Sequence, residues 1–228
     1  MTNPDIGGTI ARLLLEAGAV RIMRERPFTL AAGWASPVYV DCRLLIGNPA
    51  SRRAVTACAV EAVTSTFAAR EIEIVAGAET AGIPFAAWLA EALDLPLAYV
   101  RKRPLGIGRN AQVEGADVEG RRVLLVDDLT TDGASKVAFT RGLRMAGADV
   151  RDALTIFYNG IFPGVAERLL ADKLKLLPLA TWDDILRVDG GKSLSAEDRA
   201  LLDDFRRDPT AWSTRHGGRG AAPDRRAR

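Results

Sequence analysis

The stretch VLLVDDLTTDGASK, Val123–Lys136, decides the fold. Four apolar residues run without a break into two adjacent carboxylates, Asp127 and Asp128. A short loop of hydroxyl residues and glycine follows, then helix-forming residues. An unbroken apolar run of this kind fits a strand covered on both faces of a sheet. Asp127 and Asp128 then stand at the carboxyl end of a strand, where ligands bind in open α/β sheets. Paired carboxylates there can accept hydrogen bonds from two vicinal ribose hydroxyls. The loop Leu129, Thr130, Thr131, Asp132, Gly133, Ala134 and Ser135 turns into a helix N-terminus, whose backbone N–H groups and dipole favour a phosphate. Thr130, Thr131 and Ser135 add hydroxyl donors, and Gly133 allows a tight turn. Acids and helix start together form a site for a phosphorylated ribose. The plain alternative is an acidic, capped helix start with no ligand.

Working outward, strands and helices alternate. IEIVAG, LPLAYV, DALTIFY and KLKLLPLA read as strands; IPFAAWLAEAL, ASKVAFTRGLRMAG (closed by Gly147) and VAERLLAD read as helices. This alternation predicts an α/β fold, a mostly parallel sheet flanked by helices. Before it, a helix is expected from Thr9 as N-cap. FTLAAGWASPVYVDCR reads as two short strands around a Gly and Pro turn. Asn48 and Pro49 open a helix to about Ala69. Thr181 with Asp184, and Ser195 with Asp198, form two capping boxes. The expected organisation is N-terminal helices and a small hood over 1–70, a core over 71–180, C-terminal helices over 181–212, and a disordered basic tail over 213–228. All belong to one domain.

Composition excludes several classes of function. The chain has 228 residues, 48% hydrophobic and 26% charged, as in an ordinary globular protein. Five arginines against Asp224 from Arg215 onward make the end basic, while the formal charge of the whole is only +2. A solvated tail is the expectation there. No helix-turn-helix or aromatic-basic surface points to nucleic acid. No signal-like or membrane-length apolar run is present, so a reducing cytoplasm is the default expectation. Cys42 and Cys58 are too few for a disulfide framework or a zinc site. The only histidine, His216, lies in the tail, which leaves no Ser-His-Asp or Cys-His site in the body.

The Val123–Ser135 segment resembles the phosphoribosyl diphosphate motif of type I phosphoribosyltransferases. The rest is similar to the orotate phosphoribosyltransferase family in particular, over roughly residues 9–180 and in matching order. FTLAAGWASPVYVDCR, which contains Tyr39, resembles that family's hood; AGAETAGIPFAA its diphosphate-side loop; YVRKRPLGIGRNAQVEG its mobile catalytic loop. The resemblance implies transfer of 5-phosphoribosyl from 5-phosphoribosyl 1-diphosphate (PRPP) to orotate, with Mg²⁺ held mainly by the substrate and no metal site built from protein ligands. It implies that Arg101 and Lys102 bind diphosphate and act in catalysis together with Asp128. Thr131 matches a position that touches orotate, and Arg103 and Arg109 lie near enough to substitute in part for the lysine usual in the mobile loop. It further implies a homodimer in which loop 102–115 reaches the neighbouring site.

Several positions depart from the family pattern. Leu105 and Ile107 stand where the mobile loop usually carries lysine and histidine. Ala31 and Ala81 replace lysines, and Asn159 falls where many members place an arginine for the orotate carboxylate. Asp132 sits inside the phosphate loop. About 6 Å from a phosphate, its charge would cost roughly 2–3 kcal/mol per charge pair at an effective dielectric of 20. A side chain turned away to cap the helix avoids that cost. Leu105 and Ile107 also motivate an alternative reading, a non-catalytic or altered-specificity PRPP-binding protein. GIGRNA fits a dinucleotide fingerprint in letters only, since QVEGADVEGRR after it has no helical period.

Overall fold

The computed structural model describes residues 4–23, 25–67, 71–106 and 111–220. The N-terminal part comprises helix α1 (Pro4–Glu16), strands β1 (Val20–Ile22), β2 (Phe28–Thr29), β3 (Ala35–Ser36) and β4 (Val38–Val40), and a 3₁₀ turn (Cys42–Gly47). Helix α2 (Pro49–Thr66) follows. The core comprises β5 (Ile74–Ala78), α3 (Gly82–Leu93), β6 (Leu97–Val100), β7 (Val113–Gly115), β8 (Arg122–Thr130), α4 (Ala134–Met145), β9 (Asp149–Tyr158), α5 (Val165–Ala171) and β10 (Lys175–Thr181). Helices α6 (Trp182–Asp189), α7 (Ala196–Arg207) and α8 (Pro209–Arg215) close the described chain.

Six strands form the main sheet in the order β10-β9-β8-β5-β6-β7. All neighbours are parallel except β7, which pairs antiparallel with β6. The apolar strands take central places because they are covered on both faces: all five residues of β5, and Val123 to Asp127 of β8, are buried. After β5 the chain builds outward through β6; from β8 it builds the other way through β9. The order therefore reverses between β5 and β8, and a crevice opens at their carboxyl ends. Gly82 lets α3 lie against β8 there, since a Cβ on it would come 2.4 Å from the Val126 carbonyl oxygen.

The hood consists of two small ribbons, β1 with β4 and β2 with β3. The expected pair of strands is thus three, β2 and β3 around a turn with Gly33 at φ 84°, then β4 beyond Pro37. Asn48 Oδ1 accepts the Ala50 and Ser51 N–H groups at 2.8 and 3.2 Å, as its cap position predicts. Both C-terminal capping boxes are present, and Gly147 ends the α4 segment at φ 93°.

Three expectations need correction. Helix α1 starts at Pro4 rather than Thr9 and runs through Gly7 and Gly8. A side chain at Gly7 would collide with Asp184, so small residues let α1 seat on α6, and packing overrides low helix propensity. Residues 113–115, assigned to the mobile loop, are the edge strand of the sheet. Residues 213–220 are not a disordered tail: α8 runs to Arg215, and the Arg219 N–H donates to Gly33 O at 2.8 Å. Residues 221–228 lie outside the described residues.

Candidate active site

Strand β8 delivers Asp127 and Asp128 to the crevice, but the two carboxylates differ in their commitments. Asp127 is buried. Its Oδ1 accepts the Asp128 N–H at 2.9 Å and its Oδ2 accepts from Lys136 Nζ at 2.5 Å. Lys136 has no exposed surface and also donates to the Leu129 carbonyl at 2.6 Å. A buried ammonium is tolerated only with such partners. Asp127 therefore braces the loop through Lys136. Asp128 is half-buried, and burial, reinforced by the neighbouring Asp127 charge, pushes its carboxyl up to about 7. Lys136 and the Leu129 N–H oppose that shift.

The loop after Asp128 turns as its residue types predict. Gly133 has φ 75°, a conformation that favours glycine, and a Cβ there would fit only tightly, 3.2 Å from a Val165 methyl. Asp132 turns into the structure. Its Oδ1 accepts the Ala134 N–H at 3.1 Å, and Arg168 donates to its backbone carbonyl and lies 3.8 Å from its carboxylate. Its charge is spent on the start of α4 and on Arg168. Thr130 differs from expectation: it is fully buried, and its hydroxyl has no partner among the described residues, so it does not face the crevice. Strand β8 continues through Thr130, which points that side chain inward. Thr131 and Ser135 keep access to solvent.

Thr131, Asp132, Ala134 and Ser135 form one wall of a cavity of about 260 Å³, and Leu30, Ala31 and Ala32 of the hood form another. Leu129 also borders it. Larger clefts of about 920 and 600 Å³ lie elsewhere, one around Phe67, Leu93 and Pro96, the other around Arg151, Leu169 and Lys173. Neither is bordered by the β8–α4 loop.

The cationic pair follows β6, whose carboxyl end lies beside that of β5. The Arg101 N–H donates to Gln112 O at 2.8 Å, and Gln112 Nε2 donates back to Arg101 O at 2.7 Å, which closes the base of the loop. The Arg101 guanidinium is held by Glu114 at 2.5 Å and lies 3.9 Å from Glu79. The Lys102 N–H donates to Glu79 Oε2 at 2.7 Å, tying this loop to the turn after β5. The Lys102 and Arg103 side chains are exposed, and Leu105 is 65% exposed. Ile107 and Arg109 lie outside the described residues.

Tyr39 is on β4, where its hydroxyl accepts from Arg43 Nη2 at 3.2 Å and its ring sits 5.7 Å from Phe28. Arg43 also holds Asp41, whose carboxyl its hydrogen bond lowers below the ordinary range. The Asp41 hydrogen bond chiefly, with a smaller push from Asp128, raises the Arg43 guanidinium above its ordinary value. Cys42 beside it is a buried thiol, pushed well up by burial and by Asp128, and stays protonated. Asn159 is buried and accepts from Trp182 Nε1 at 2.9 Å, a structural bond rather than a ligand contact.

Sequence reading gave no role to Lys136 or Arg43. The signal for Lys136 was its helical spacing: it shares the inward face of α4 with Val137, Thr140 and Leu143. Arg43 carried a weaker one, a cation two residues after Asp41.

A model for the phosphoribosyl transferase domain matches residues 45–160. An orotate phosphoribosyltransferase from Rhizobium rhizogenes is 44% identical over 92% of this chain and 90% of its own length. One from Cereibacter sphaeroides is 45% identical over 91% of this chain and 90% of its own length. Among solved structures, orotate phosphoribosyltransferase from Aeropyrum pernix shares 34% identity over 79% of this chain and 99% of that one, with a TM-score of 0.67. Leishmania donovani UMP synthase superposes at a TM-score of 0.75 with 25% identity, over 88% of this chain but only 42% of that longer one. The crevice between β5 and β8, the braced acid pair and these likenesses agree, and the chain belongs to the phosphoribosyltransferase family, among the orotate phosphoribosyltransferases.

Proposed function

We propose that this chain transfers the 5-phosphoribosyl group of PRPP to orotate, giving orotidine 5′-monophosphate and diphosphate for pyrimidine biosynthesis. The observation that carries the reading is the acid pair Asp127–Asp128 at the end of β8, running into a loop whose Thr131, Ala134 and Ser135 line a cavity together with Leu30, Ala31 and Ala32 of the hood. Thr131, Ser135 and the α4 N-terminus take the 5′-phosphate. Asp128 accepts hydrogen bonds from the ribose hydroxyls, while Asp127 is committed to Lys136. The C1′–O bond to diphosphate breaks with its electron pair, the C1′–N1 bond to orotate forms, and N1 gives its proton to solvent. Catalysis then rests on positioning and on neutralising the leaving diphosphate. Lys102, Arg101 and Arg103 line its path, with Arg109 on the same loop. For Arg101 this requires exchanging Glu114 for the substrate.

Among the described residues no group of three or more ligating side chains could hold a metal ion by itself. Carboxylate oxygen suits Mg²⁺, which binds through one or two carboxylates plus substrate phosphates. Asp128 is the protein's contribution to such a complex, and Mg²⁺ supplies charge screening for the diphosphate. No described helix is long and apolar enough to cross a membrane; the reading places the enzyme in the cytoplasm, as a homodimer whose loop 102–112 serves the neighbouring site.

The test is product identification. Incubation with PRPP, Mg²⁺ and orotate yields orotidine 5′-monophosphate and diphosphate in equal amounts, resolved by chromatography. Gly133→Val abolishes the yield. Bound PRPP without product would favour the non-catalytic reading, which Leu105 in the mobile loop motivates.

A further inference from the structure

The hood wall of the cavity has little intrinsic stability. Strands β2 and β3 pair over two residues each, and so short a ribbon does not hold its shape alone. Leu30, Ala31 and Ala32, which border the cavity, lie in the turn between them. Within the turn, Leu30 N–H donates to Trp34 O and Gly33 N–H to Leu30 O, both at 2.8 Å.

A further restraint comes from the far end of the chain. Ser213 is fully buried on α8, and its Oγ accepts the Ala35 N–H at 2.9 Å across 178 residues. Gly218 passes so close that a Cβ would come 2.3 Å from Ala35 N. The Arg219 N–H donates to Gly33 O at 2.8 Å, its Nη1 donates to Ala32 O at 3.4 Å, and its guanidinium lies 5.9 Å from the Trp34 ring centroid. Beneath these bonds an aromatic column joins the same parts. Trp34 packs on Phe162 (5.0 Å between centroids), Phe162 on Phe205 (5.8 Å), and Phe205 on Trp212 (5.3 Å). His216 stacks on Trp212 at 3.7 Å.

We infer that α7, α8 and the segment to Arg219 form a clamp that fixes the Leu30–Trp34 turn, with Ser213 and Arg219 as positioning residues for the ligand held against that turn. The bonds of Ser213 and Arg219 named above end on the turn or on Ala35. Resting on the function proposed above, the inference names the ligand. The phosphate lies at α4, and the facing wall of Leu30, Ala31 and Ala32 is apolar and suits a flat pyrimidine ring. Loosening the clamp therefore weakens orotate more than PRPP.

Five chains test this: the parent, one ending at Gly220, one ending at His216, Ser213→Ala, and Ser213→Thr as the conservative rescue. Each is assayed for steady-state kinetics and for amide hydrogen exchange at residues 30–35. The chain ending at Gly220 matches the parent. The chain ending at His216 and Ser213→Ala exchange faster at 30–35 and raise KM for orotate about fivefold, the worth of one modest hydrogen bond, with kcat and KM for PRPP unchanged. Ser213→Thr restores both readouts. Unchanged exchange in the chain ending at His216 overturns the clamp. Faster exchange with an unchanged orotate KM overturns the positioning role. Absence of orotate turnover in the parent defeats the proposed function instead, and the exchange data still decide whether the clamp exists.

Discussion

The Lys136 ammonium lies 2.5 Å from a carboxylate oxygen of Asp127, and the lysine has no exposed surface at all. The pair joins the end of β8 to the first turn of α4 and so fixes the loop between them. Removing one partner of a buried ion pair leaves an uncompensated charge and typically costs about 3–5 kcal/mol. Lys136→Met should therefore destabilise the protein by about that much in urea titration. Adding Asp127→Asn to Lys136→Met should recover a large part of the loss, because the stranded charge is gone. Equal instability of single and double variants would contradict this account of the pair.

Asp128 gives a pH signature. Its carboxyl is raised from 3.8 to about 7, chiefly by burial. An acid with a raised folded-state value stabilises the fold below its unfolded value and loses that contribution as pH rises through the folded one. The melting temperature of the parent should thus fall by several degrees relative to Asp128→Asn as pH is raised from about 4 to above 7. Parallel pH profiles for the two proteins would sink the assignment.

Asp132 separates two readings of an acid in a phosphate loop. Its side chain caps Ala134 and faces Arg168, so it does not oppose the ligand. Asp132→Ala should lose about 1 kcal/mol of stability, the usual worth of a cap, without lowering KM for PRPP. Asp132→Asn, which keeps the cap, should be close to neutral. A clear fall in KM for PRPP in either variant would show that the carboxylate repels the phosphate after all.

Leu105 stands on the loop next to Arg101–Arg103 and is 65% exposed, so a longer cationic side chain fits without repacking. Leu105→Lys should raise kcat by about tenfold or more, since one well-placed donor to a leaving anion commonly carries that much or more. No gain would mean that another group already serves the diphosphate.

Much of this fold was legible because strand and helix signals agreed with burial. Val123–Val126 is apolar throughout and became a central strand, and Asn48–Pro49 capped a helix as expected. Strand β7 was not legible: it spans three residues, only Val113 is buried, and Gly115 at φ 99° is there because a Cβ would strike Leu97 O. The site was legible in its acids, its Gly133 turn and the turning of Asp132 toward the Ala134 N–H. It was not legible in Thr130, where the strand runs longer than its apolar stretch, nor in Lys136, whose partner is set by the turn between β8 and α4. The C-terminal clamp was hidden for another reason. Nothing local in Ser213 or Arg219 announces a partner almost two hundred residues earlier.

The central claim is the reaction itself, and the most direct measurement follows orotate absorbance in purified protein supplied with PRPP and Mg²⁺. The account predicts steady loss of orotate that depends on PRPP and is abolished by Gly133→Val. No loss of orotate, with PRPP binding intact by calorimetry, would contradict it and leave a protein that binds the phosphoribosyl ligand without transferring it.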